Sequence, residues 1–72
     1  MLDDILIPSR DWSQIIAYWD KYIRLQNEDA NAYIERSGSY FHQGNLEAAR
    51  RDAKKAAELG HVAGLSLYQQ LQ

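Results

Sequence analysis

Between Asn31 and Leu59 the chain carries two helical patterns separated by one short break, Gln43-Gly44-Asn45. That break limits the possible folds more than any other feature. Tyr33, Ser37 and Tyr40 precede it, and Leu46, Ala49, Ala53, Ala56 and Leu59 follow it. Steps of three and four put each set on one face of a helix. Gly44 has no Cβ and suits the left-handed residue that stops a helix. Asn45 is a good N-cap for the next one. So short a connection makes the second helix fold back along the first as an antiparallel neighbour. Helices are therefore expected over 30–43 and 46–59, with Asp29 capping the first and Gly60 ending the second. Ala49, Ala53 and Ala56 would let a neighbouring helix approach closely.

The flanking segments extend this pattern. Pro8 pushes residue 7 out of the helical region. Ser9 is expected to cap a helix over 10–26, with Asp11 in its first turn. Trp12, Ile15, Ile16, Trp19, Tyr22 and Ile23 form its apolar face. Either Leu2, Ile5 and Leu6 or a second chain is expected to cover one side of that face. After Gly60, Val62, Leu65, Tyr68 and Leu71 recur every three residues, with Leu67 beside them, which predicts a fourth helix over 61–71. The fold class is all-α with about four helices.

The hairpin resembles the tetratricopeptide repeat, a helix–turn–helix unit of 34 residues. Tyr33, Ser37, Tyr40, Gly44, Leu46, Ala49 and Ala56 match its pattern. Residue 53 departs from it, being Ala where the family favours an aromatic, and Gly60-His61 replaces the closing proline. Ala56 to His61 also resembles the start of the Sel1-like variant. Shifted by one repeat, Trp12 falls on Leu46, Ile15 on Ala49, Trp19 on Ala53 and Lys21 on Lys55. The resemblance thus implies one domain: an N-terminal segment 1–9, the second helix of a partial repeat in 10–29, a complete repeat in 30–60 and a capping helix in 61–72. The repeats at both ends are incomplete.

This resemblance implies a protein-interaction scaffold, and the chain could be a fragment of a longer repeat protein. In the family the first helix of each repeat lines a concave surface. By position the groove would present Asn31, Ile34, Glu35, Gly38, Phe41 and His42. Some members clamp acidic C-terminal tails with Lys and Asn, but those positions hold Ile34 and Gly38 here. The expected ligand is instead an apolar or aromatic anchor of an extended peptide or helix, with Asn31 and His42 as a hydrogen-bonding rim; the alternative is that Phe41 packs on an adjacent helix such as the fourth. The alternative is a self-assembling structural domain, a homo-oligomer without a dedicated ligand.

Templates for chemistry are not matched. His42 and His61 belong to no metal motif, and the spacing of Gly38, Gly44, Gly60 and Gly64 makes no phosphate loop. Ser37 and Ser39 lack a nucleophile turn. With no Cys there is no disulfide or Cys-based metal site. Neither catalysis, a metal nor a cofactor is expected. The net charge of −2 disfavours nucleic acid as the main ligand. Arg50, Arg51, Lys54 and Lys55 form the strongest charge cluster, either a solvated outer face or an anionic docking patch. Arg36 and Asp52 are expected to pair across the hairpin. The run from Ile15 to Trp19 is too short to span a bilayer. Met1 to Ile7 carries Asp3 and Asp4, unlike a secretory signal, so a cytoplasmic setting is the default expectation.

Overall fold

The computed structural model describes residues 11–72, and these form four α-helices and no strand. They are α1 (Trp12–Leu25), α2 (Ala30–Gln43), α3 (Leu46–Glu58) and α4 (Val62–Gln70). Segment 1–7, Pro8, Ser9 and the expected helix start at Arg10 lie outside the described residues. So does the covering role expected of Leu2, Ile5 and Leu6.

Short polar side chains and two glycines set the helix ends. Asp11, expected inside the first turn of α1, is itself the cap: its carboxylate accepts from the N–H groups of Ser13 at 3.1 Å and Gln14 at 3.3 Å. Asp29 caps α2 by accepting from the Asn31 N–H at 3.0 Å. Gly44 stops α2 with φ of 93°, and the Asn45 N–H closes onto the Tyr40 carbonyl at 2.9 Å. Asn45 then caps α3, accepting from the Ala48 N–H at 3.2 Å. Gly60, also with φ of 93°, ends α3 while the His61 N–H reaches the Ala56 carbonyl at 3.1 Å.

Each helix packs mainly on its neighbours in sequence. Paired residues step down one helix as they step up the next, so consecutive helices are antiparallel. Ser13 meets Gln43 and Asp20 meets Arg36 between α1 and α2; Arg36 meets Asp52 and Ser37 meets Ala49 between α2 and α3. Gly64 touches Ala56, and Arg50 reaches Leu71, between α3 and α4. It follows that α2 and α4 run parallel. Asn31 and His61 meet near their N-terminal ends, while Phe41 and Leu71 border one cavity at their C-terminal ends.

The core is built on small residues. Ala49, Ala53 and Ala56 have no exposed surface, and Ile23, Ala32, Tyr33 and Ala56 form its central cluster. Ser37, expected in the buried stripe of α2, is fully buried, and its hydroxyl donates to the Ala49 carbonyl at 2.7 Å. A buried hydroxyl without such a partner would be costly.

Two expected faces need correction. On α2 the stripe Tyr33, Ser37 and Tyr40 is too narrow: Ala32 and Ser39 are buried as well, and Tyr40 only half so. A helix held between α1 and α3 buries a wider arc than one partner would cover. On α4 the packed face is Gly64, Leu67, Tyr68 and Leu71, whereas Val62 is 80% and Leu65 49% exposed. Gly64 sets this rotation. A Cβ there would lie 2.6 Å from the Ala56 Cβ and 2.7 Å from the Ala57 nitrogen, so only glycine permits the approach.

Candidate functional site

The exposed side of α2 carries a trough centred on Gly38. That residue has open space where a Cβ would stand, with nothing beyond its immediate chain neighbours and its own stretch of helix backbone within 4 Å. Two concavities share Gly38 and His42. One, of about 290 Å³, lies toward α1 and adds Trp12, Ile34, Glu35 and Ser39. The other, of about 320 Å³, lies toward α4 and adds Phe41, Leu67, Gln70 and Leu71. These volumes lie at the small end of the range for ligand pockets, about 300–1,000 Å³.

Five of the six expected groove residues line this trough: Ile34, Glu35, Gly38, Phe41 and His42. Phe41 is 46% exposed and borders the concavity beside Leu67 and Leu71 without being swallowed by the core. Asn31 lies outside both linings, where its Oδ1 is 3.1 Å from His61 Nε2. His61 Nδ1 accepts from the Ala63 N–H at 3.1 Å and so caps α4, which leaves Nε2–H to donate to Asn31. His42 stacks on Trp12 with ring centroids 4.7 Å apart and planes 12° off parallel. It is thus a wall of the trough as much as a polar rim.

Position in one repeat could not reveal the Trp12, Leu67 and Leu71 walls, because α1 and α4 supply them. Their only sequence signal was membership of the flanking apolar patterns.

An ionic joint ties the helices together away from the trough lining. Arg36 Nε and Nη2 donate to both Asp52 oxygens at 2.7 and 2.8 Å, and Nη1 donates to Asp20 at 2.8 Å. The pair with Asp52 was expected; Asp20 completes a clasp across α1, α2 and α3. The Asp52 hydrogen bonds, more than any other contact, hold the guanidinium protonated far above its ordinary range, against the opposing effect of burial. Tyr33 and Tyr40 rings lie 5.7 and 6.0 Å from the guanidinium carbon, within cation–π reach.

The basic cluster is not one surface. Arg51, Lys54 and Lys55 are exposed, but Arg50 is half-buried and donates to the Leu71 carbonyl at 3.3 Å. Among the described residues no three His, Cys, Asp or Glu side chains gather to hold a metal ion. No helix among them is long and apolar enough to cross a membrane.

No family model, curated protein or solved structure matches the chain.

Proposed function

We propose that the chain is a protein-interaction module of the tetratricopeptide type, whose trough on α2 receives an extended peptide or a partner helix. The supporting observation is the open space over Gly38, with a mixed concavity on the α1 side of it and a more apolar one on the α4 side. A half-exposed Phe41 at the edge of one concavity suits an anchor contact, since buried aromatics tend to dominate binding energy. The groups that could have suggested chemistry have structural partners instead: Ser37 on Ala49, His61 on Ala63 and Asn31, His42 on Trp12.

The test is to pan a phage-displayed random dodecapeptide library on the immobilised protein, then measure recovered peptides by fluorescence polarisation. Gly38→Gln should abolish their binding while the helical circular dichroism spectrum is kept, and Phe41→Ala should weaken it by about 2 kcal/mol. Failure to recover any peptide, or equal binding to Gly38→Gln, would sink the proposal.

Self-assembly is the second reading, favoured by the exposure of Val62 and Leu65 on the outer side of α4. It requires a mass in light scattering that rises with concentration and returns to monomer in Val62→Glu/Leu65→Glu.

A further inference from the structure

We infer that the trough selects a segment pairing one apolar anchor with a Lys or Arg two to four residues away, an inference resting on the peptide-binding reading above. Charge is distributed unevenly over the molecule. Of the described Lys and Arg residues, Lys21 and Arg24 belong to α1, and Arg50, Arg51, Lys54 and Lys55 to α3. None of them lines either concavity. Arg36 is the one Lys or Arg on α2, and its guanidinium is taken by Asp52 and Asp20. Helix α4 has none. Among the described residues the one carboxylate in the lining is that of Glu35, exposed beside Trp12 and Gly38.

Helix polarity is divided: it favours positive charge at the second concavity, while the α1 N-terminus beside Trp12 opposes it in the first. The second concavity is bounded by the last turns of α2 and α4, at Phe41 and His42 on one and at Leu67 and Gln70 on the other. These parallel helices direct the negative ends of their dipoles toward the same place. Arg50 offsets part of this at the Leu71 carbonyl, from the α3 side.

The shapes assign the two parts of the ligand. The concavity between Phe41, Leu67 and Leu71 is the more apolar and takes the anchor. The cation lies in the other concavity, toward the Glu35 carboxylate. Glu35 and Phe41 are about 9 Å apart along the helix axis, the reach of about three extended residues. That sets the spacing between anchor and charge.

The peptides recovered by panning test this separately from the trough itself. The expected result is enrichment of an aromatic or aliphatic residue two to four positions from Lys or Arg. Glu35→Lys should then lower affinity roughly five- to tenfold, with the spectrum unchanged. Raising salt from low to physiological strength should erode part of the wild-type affinity. If recovered peptides lose binding on Gly38→Gln but carry no enriched cation, or bind Glu35→Lys as tightly, the charge preference is overturned and the trough stands. If they ignore Gly38→Gln, both fall.

Discussion

Arg36 is a residue that lysine cannot replace. Its planar fork meets both oxygens of Asp52 and still reaches Asp20, a geometry that an ammonium group does not reproduce. The Asp52 side chain is 5% exposed and that of Arg36 19%, whereas that of Asp20 is 43% exposed. Arg36→Ala leaves a buried carboxylate without its partner and should cost about 3 kcal/mol in urea unfolding. Asp20→Ala should cost less than about 1 kcal/mol, because water screens that arm. A larger loss for Asp20→Ala than for Arg36→Ala would contradict this ranking.

The Tyr22 hydroxyl donates to Asp29 at 2.7 Å. This bond, above all, lowers the Asp29 carboxyl below its ordinary value of 3.8, with the backbone N–H groups of Ala32 and Asn31 adding to it. The same bond raises the Tyr22 phenol above 10.0. A lowered carboxyl stabilises the fold at pH above 3.8 and loses that contribution as pH falls through the lower folded value. Wild type should thus lose stability toward Tyr22→Phe on acidification below about pH 4, measured as the melting-temperature difference between the two. A difference that stays constant through that range would rule out the linkage.

At the scale of the element, α4 depends on one missing methyl group. Gly64→Ala would press a Cβ against the Ala56 Cβ and the Ala57 backbone nitrogen, and should destabilise by about 1–3 kcal/mol. Adding Ala56→Gly removes one of these collisions and leaves the backbone one, so rescue should be partial; full rescue would mean the helix has simply rotated. This element also shows where the sequence was hard to read. The hairpin was legible because Asp29, Gly44 and Asn45 act locally, through caps and a turn whose chemistry is written in adjacent residues. The packed face of α4 was not legible. Val62, Leu65, Tyr68 and Leu71 gave a clean apolar rhythm, but the face is chosen by how closely α3 approaches, and that depends on the absence of atoms at Gly64. Asp20 in the ionic clasp escaped for a similar reason, since nothing in α1 alone marks it as facing Arg36. The α2 side of the trough followed from helical spacing, and the α1 and α4 walls required the tertiary arrangement.

Among the described residues, contacts run mostly between successive helices, so stability is shared along the chain. The clasp joins α1, α2 and α3 but leaves α4 to Gly64, Arg50 and the His61–Asn31 bridge. Amide hydrogen exchange should accordingly show α4 opening first and the middle of α2 and α3 opening last; uniform protection would mean a single cooperative unit. The trough has a different bearing on the molecule's history under selection. Alanine at position 38 meets no obstacle and would favour the helix by nearly 1 kcal/mol. A population of variants selected for heat resistance alone should therefore abandon Gly38 early, and one selected for retained peptide capture should keep it. The divergence of those two lineages at a single codon would measure how far this surface is held open against the stability of its own helix.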